Sequence, residues 1–152
     1  GYEKMNTLNQ MKLSFLSRSA NEGFARVAVA AFFAQLDPTV DEIADIKTAV
    51  SEAVTNCIVH GYAEKIGVVY IQAKILKDNI ISVKIRDQGR GIEDVKQAME
   101  PMFTTCKNGE RAGLGFAVMQ SFMDSVKVSS KPGKGTTVIL KKKIASRENN
   151  AQ

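Results

Sequence analysis

The sequence predicts a two-layer α/β sandwich: a mixed, mainly antiparallel sheet with helices on one face. Three observations predict it. Apolar residues recur at helical spacing in some segments and alternate with period two in others. These segments follow the order β-α-α-β-β-α-loop-α-β-β. No repeat, low-complexity stretch or linker interrupts the 152 residues, a length that suits one domain with a core of its own.

Met11 to Ser17 alternates weakly and predicts a short first strand. Asn21, a candidate N-cap, opens a helix that runs to Leu36 and is stopped by Pro38. Phe24, Val27, Ala28, Ala31 and Phe32 are expected to form its packed stripe. Thr39-Val-Asp-Glu42 has capping-box spacing, so a second helix begins there. Its core stripe is Ile43, Ile46, Val50, Val54, Cys57 and Ile58; Asp45, Thr48, Glu52, Asn56 and His60 lie along the other flank. Gly61 ends that helix. Gly67 opens a strand from Val68 to Leu76, which the turn Lys77-Asp-Asn79 joins to a second strand, Ile80 to Asp87, as a hairpin. Glu93 to Glu100 predicts a short helix closed by Pro101. Residues 102–112 show no periodicity and predict a mobile loop. A helix then runs from Gly115 to about Asp124, with Phe116, Met119, Phe122 and Met123 as its core residues. Strands Val126 to Ser130 and Thr136 to Ile144 complete the sheet. Residues 1–10 are read as an N-terminal extension, the part before Met5 as an appended remnant. Residues 11–145 form the single domain, and 146–152 a polar tail expected to be disordered.

An apolar content of 44% and a charged content of 24% match an ordinary soluble protein, and no apolar run is long enough to span a bilayer. No membrane partner is therefore expected. Cys57 and Cys106 form no disulfide framework or zinc motif, which suggests free thiols in a reducing cytoplasm. The net charge of +5 includes Lys131, Lys134 and Lys141-Lys142-Lys143. Without interleaved aromatics, these lysines suggest a solvated face and a protected sheet edge, and no direct nucleic-acid contact is expected. An acidic protein or a polyphosphate would also suit a basic surface.

Positions 52, 56 and 60 are spaced i, i+4, i+8, so Glu52, Asn56 and His60 point the same way along the helix. A solvated polar flank would have the same spacing. Against it, Ser51, Thr55 and Asn56 make the segment rich in residues that compete with the helical backbone, which a helix tolerates better at a site. The Asn56 carbonyl suits magnesium, which takes few protein oxygens and leaves the rest to phosphates and water. Glu52, one turn earlier, would accept a proton from an attacking hydroxyl. Asp87 shares the core face of its strand with Ile81, Val83 and Ile85, and a carboxylate there needs donors to offset its desolvation. The exocyclic amino group of adenine is one such donor; capping of the next turn is the ordinary alternative. Gly89 and Gly91 favour the ligand, because they let backbone approach something flat. Gly113-Leu114-Gly115-Phe116 opens a helix, whose first amides can hold phosphate. Neither a Rossmann fingerprint nor a P-loop is completed: the positions they need hold Val118, Asp94 and Val128. Cys57 is read as a packing residue, and His60 as a helix-end hydrogen bond or packing residue.

Taken in order, Glu52 to Asn56, Asp87 to Gly91, Gly113 to Gly115 and Gly133 to Thr137 resemble the nucleotide-contacting boxes of the ATPase family shared by gyrase, Hsp90, histidine kinases and MutL. The resemblance goes further. Ala20-Asn-Glu-Gly-Phe-Ala-Arg26, Ala34-Gln-Leu-Asp-Pro-Thr39, Ser51-Glu-Ala-Val-Thr-Asn56, His60-Gly-Tyr62, Phe103-Thr-Thr105 and Gly135-Thr-Thr137 closely resemble the anti-sigma F factors of sporulating bacteria over nearly the full length. That resemblance implies the histidine-kinase-like ATPase fold and a homodimeric serine protein kinase that takes ATP or ADP with Mg2+. It further implies two partners, a sporulation sigma factor that is held and inhibited and an anti-anti-sigma protein that is phosphorylated on serine. By position, Glu52 is the catalytic base and Asn56 the magnesium ligand. Asp87, Gly89, Gly91 and Thr136 would receive adenine, and Thr104, Thr105 and Arg111 would form a lid. Gly113, Leu114, Gly115 and Phe116 would offer amides to the phosphates, and Arg26, off the first helix's packed stripe, would meet the partners. The lid segment Cys106-Lys-Asn-Gly-Glu110 departs from the family pattern. Two other readings are the catalytic half of a histidine kinase and a non-catalytic sigma-binding module switched by nucleotide.

Overall fold

The structure is a computed structural model; it describes residues 6–100 and 107–145, and for 107–112 the backbone alone. Five strands form one sheet: β1 (Thr7–Leu16), β2 (Val68–Leu76), β3 (Ile80–Asp87), β4 (Ser125–Lys131) and β5 (Gly135–Lys143). Their spatial order is β1-β2-β3-β5-β4, and all four pairings are antiparallel, where the sequence predicted some mixing. The first strand begins four residues earlier than expected, at Thr7. Between β1 and β2 run α1 (Ala20–Phe33) and α2 (Val40–Thr55); between β3 and β4 run α3 (Val95–Ala98) and α4 (Lys107–Phe122). Two successive helices bring the chain back to the end of the sheet it left, so the next strand runs antiparallel. β5 then turns back from β4 and slots in beside β3. The lysines at 141–143 therefore sit on an interior strand, not on the expected sheet edge.

The helix α1 packs through a different stripe from the predicted one. Ala25, Val29 and Phe33 are fully buried, whereas Phe24 and Val27 are 52% and 57% exposed. The segment is apolar almost all round, so a 3.6-residue period fits several faces equally and the neighbouring elements choose among them. Phe24 leans edge-on against Phe15 of β1, ring centres 6.3 Å apart. Asn21 does not cap: its side chain donates to the Leu16 carbonyl, and Ser19 occupies the N-cap position.

At the start of α2 the predicted capping box is complete. Thr39 Oγ1 accepts from Glu42 N at 3.0 Å, and Glu42 Oε1 accepts from Thr39 N at 2.8 Å. Glu42 Oε2 also accepts from Ala145 N, just past the last strand. Burial alone would raise the Glu42 pKa, but the amides of Ala145 and Thr39 outweigh it and hold the pKa below its ordinary 4.5. Thr39→Ala is expected to lower stability by about 1 kcal/mol in urea unfolding with the m-value unchanged, since the cap belongs to the folded state alone.

The core lies between the helices and the sheet. Ile46, Val50 and Val54 of α2 and Phe116, Met119 and Met123 of the α4 segment meet Ile71, Ile81, Val83, Ile85 and Leu140. Phe122, placed in this core by the sequence, is 37% exposed. The helix α4 itself begins at Lys107, so the predicted loop is helical over residues 107–112 and Gly113 to Gly115 lie inside the helix. Residues 102–106 of that loop fall outside the described residues. Glu110, Arg111, Ala112 and Leu114 are strong helix formers, and they outweigh Gly113 and Gly115, which the sequence reading placed at a helix start.

Candidate functional site

The end of α2 is wider than an α-helix. Over Asn56–Gly61 the chain makes a π-helical turn, and Tyr62 N donates to Cys57 O at 2.9 Å. Such turns hold one residue more than the α-helical repeat and occur often at functional sites. Here the turn places Asn56 and His60 at the junction of two hollows. One is a cleft of about 240 Å³ bordered by Glu52, Asn56, His60, Leu114 and Gly115. The other is a cavity of about 520 Å³, within the usual range for a small-molecule site. Asn56, Gly91, Phe116 and Thr136 line this cavity, and Asp87 is its buried carboxylate. Ile85 and Val138 supply apolar walls.

Asp87 is 4% exposed at the end of β3, on the core face, as the strand's alternation predicted. Gly89 N donates to its Oδ1 at 2.8 Å; the Cys57 thiol and the Thr136 amide also bond to it. Burial nevertheless pushes its pKa above the ordinary 3.8, because these donors only partly offset the lost water. Burial, with the Asp87 charge beside it, pushes the Cys57 thiol well above its ordinary 9.0. Cys57 therefore stays protonated and acts as a donor. Close approach around the carboxylate depends on glycines. A Cβ on Gly61 would stand 2.8 Å from Asp87 Cγ, and one on Gly89 would collide with the Gly61 carbonyl. At Gly135, where φ is +85°, it would strike the Asp87 carbonyl. Gly89→Ala is expected to weaken nucleotide binding at least tenfold by calorimetry, since the collision is with backbone that cannot rotate away.

Three side chains stitch the cavity together. The Tyr62 hydroxyl accepts from Gln88 N and donates to Val68 O, and burial raises its pKa above the ordinary 10.0. Arg90 Nε donates to His60 O at 2.7 Å, satisfying a carbonyl of the π-turn. Ser130 Oγ accepts from Ile92 N and stands 2.8 Å from Thr136 Oγ1. None of Cys57, Gly61, Tyr62 and Arg90 was picked out as a site residue from the sequence. A lone cysteine on a core stripe and a glycine at a helix end look like packing and termination, and neither carries a signal that separates the roles.

In the cleft, Gly115 faces the α2 side chains. A Cβ there would lie 3.2 Å from both Glu52 Oε2 and Asn56 Oδ1, which explains a glycine within a helix. The Nδ2 atom of Asn56 is buried with no hydrogen-bond partner. A buried amide left idle in this way, beside a carboxylate, is a costly arrangement unless a ligand engages it. These few oxygens fit magnesium, which takes most of its shell from phosphates and water. Among the described residues, no group of three or more His, Cys, Asp or Glu could hold a metal alone.

Among the other predicted site residues, Leu114 and Gly115 border the cleft, while Gly113 is buried in α4. Gly113 to Phe116, expected at the start of a helix, lie inside α4, which begins at Lys107. Thr104 and Thr105 lie outside the described residues, as does the Arg111 side chain. Arg26 is half-exposed, paired with Glu22 at 3.1 Å, and its Nη1 lies 3.5 Å from Ser51 Oγ, next to Glu52.

The fold and the two joined hollows define a nucleotide-binding domain of the histidine kinase-like ATPase class, and the profile of that domain family matches residues 15–142. The RsbU and RsbW domains of Rv1364c from Mycobacterium tuberculosis share the fold, with a TM-score of 0.66 at 19% identity over 90% of this chain and 32% of that one. The histidine kinase domain of Erythrobacter litoralis EL346 gives 0.54 at 21% identity, over 81% of this chain and 61% of that one. In sequence, the anti-sigma F factor of Thermoanaerobacter sp. (strain X514) is 60% identical over 93% of this chain and 99% of its own length. That of Caldanaerobacter subterraneus subsp. tengcongensis is 63% identical over 90% and 94%. The chain belongs to the anti-sigma F factor family. No helix among the described residues is long and apolar enough to cross a membrane.

Proposed function

We propose that this chain is an ATP-dependent serine protein kinase and anti-sigma factor. It holds a sporulation sigma factor out of action and phosphorylates an anti-anti-sigma protein on serine, as a cytoplasmic homodimer. The observation that carries the proposal is the buried Asp87 carboxylate in a cavity that meets, at Asn56, a cleft bearing Glu52. Asp87 accepts from the adenine amino group, Thr136 and the Cys57 thiol keep it oriented, and Ile85 and Val138 flank the base. The phosphates then extend past Asn56 into the cleft. Asn56 is the residue that would hold Mg2+ through Oδ1. When bound, the ion neutralises phosphate charge. Glu52 accepts the hydroxyl proton of the incoming serine. Thr104, Thr105 and Arg111 are assigned to close over the phosphates. For the amides of Gly113 to Phe116 to serve there, the first turns of α4 must open.

Arg26 is assigned to the partners because it reaches from α1 to Ser51, so a partner that takes up its guanidinium acts one residue from the base. The test is incubation with γ-labelled ATP, Mg2+ and a candidate anti-anti-sigma protein, with mapping of phosphoserine. Capture of the sigma factor with ATP and with ADP is measured alongside. Label on serine and nucleotide-dependent capture are expected. ATP binding without label transfer would leave a nucleotide-switched binding module and overturn the kinase.

A further inference from the structure

The helices cover one side of the sheet, and the other side gathers cations that the sequence scatters. Lys12 on β1, Lys84 on β3 and Lys127 on β4 stand in one register row, joined through Gln72 and Ile139. The adjacent row carries Lys74 and Lys141 on either side of Ser82. In the row on the other side of Lys84, Arg86 lies over the Tyr70 ring, 4.3 Å from its centre. Of the acids among the described residues only Asp87 lies in a strand, and it points into the core. Strands spaced about 4.8 Å apart put the cations within a row roughly 10 Å from one another. That is close enough for the fields of Lys12, Lys84 and Lys127 to add at the surface.

We propose that this open sheet face docks a flexible acidic segment of a partner polypeptide, on the side of the sheet opposite the nucleotide cavity. Charge complementarity selects the class of partner. Lysine is a compact point charge that accepts carboxylates in any orientation, which suits a mobile Asp/Glu-rich segment. Nucleic acid fits less well, because single strands bind by stacking on open aromatic rings, and the one ring on this face among the described residues, Tyr70, is covered by Arg86. A second copy of the chain, packed back to back, would bring two arrays of like charge together. Since the sheet separates this face from the cavity, docking proceeds equally with and without nucleotide.

The experiment measures fluorescence anisotropy of a labelled oligo-glutamate peptide, and of labelled oligo-dT of matched charge, over a series of salt concentrations. The proteins are wild type, Lys12→Glu/Lys84→Glu/Lys127→Glu, the same three positions changed to Gln, and an equally charged control, Arg18→Glu/Lys65→Glu/Lys96→Glu. All six positions are exposed, so the fold is expected to persist, with retained ATP binding as the check. The peptide is expected to bind wild type and to weaken steeply with salt. Affinity should fall at least tenfold in the Glu variant, severalfold in the Gln variant and less than twofold in the control, and change less than twofold on adding ATP and Mg2+. An equal loss in the control, or no binding by wild type, would overturn the proposal. So would tighter binding of oligo-dT than of peptide, which would make the face a nucleic-acid surface. A change in the sedimentation of the free chain in the Glu variant would overturn it too, since the face would then join copies of the chain.

Discussion

Asp87→Asn is expected to reduce ATP affinity by more than about a hundredfold while leaving the melting temperature of the nucleotide-free protein, at neutral pH, no lower than that of wild type. The loss follows from reversed polarity: a carboxamide can turn its NH2 toward the adenine amino group, so donor meets donor in a buried site, worth roughly 3 kcal/mol. The retained stability follows from the pKa of Asp87, which folding raises above 3.8. Between the unfolded and folded pKa values the folded state binds more protons than the unfolded, so stability falls as pH rises through that window. Above that window the buried charge opposes folding, and Asn removes it. The same shift makes wild-type affinity fall on acidification sooner than an ordinary aspartate would dictate. Calorimetry and thermal unfolding from pH 4 to 8 check both. ATP binding by the variant at wild-type strength would remove Asp87 from the site.

Glu52→Ala is expected to bind ATP as wild type does yet transfer phosphate roughly 10²–10⁴ times more slowly, the usual loss with a general base. Glu52 borders the cleft and not the cavity that holds Asp87, so affinity and rate should separate. Asn56→Ala should instead abolish the dependence of nucleotide binding on Mg2+, because Asn56 is the residue assigned to the ion. Single-turnover transfer from pre-bound ATP isolates the chemical step. A Glu52→Ala protein that phosphorylates its substrate at the normal rate would sink the mechanism.

What was legible in the sequence depended on whether a local pattern had one solution. Thr39 and Glu42 can satisfy each other in one way, and α2 starts where that pattern says. Ile81, Val83, Ile85 and Asp87 alternate, so an acid on the core face of a strand could be read before any coordinates. In α1 the apolar residues surround the helix, and the choice of Ala25, Val29 and Phe33 over Phe24 and Val27 was made by β1 and α2. Gly113 and Gly115 look like a helix start, yet Gly115 is in mid-helix because Glu52 and Asn56 approach it there, a constraint set by a segment some sixty residues away. The π-turn left no trace in residue type. The clustering of Lys12, Lys84 and Lys127 depends on strand order, which no local pattern encodes.

The position of β5 has a consequence for synthesis. It leaves the ribosome after the other four strands, and it belongs inside the sheet, between β3 and β4. Until it emerges, β3 has a bare edge and Asp87 lacks the Thr136 amide that helps to hold it. The Glu42 carboxylate at the start of α2 likewise waits for Ala145, 103 residues downstream. A chain that stops before β5 leaves Asp87 without its Thr136 partner. The cavity therefore gains its wall of Thr136 and Val138 only once β5 has emerged.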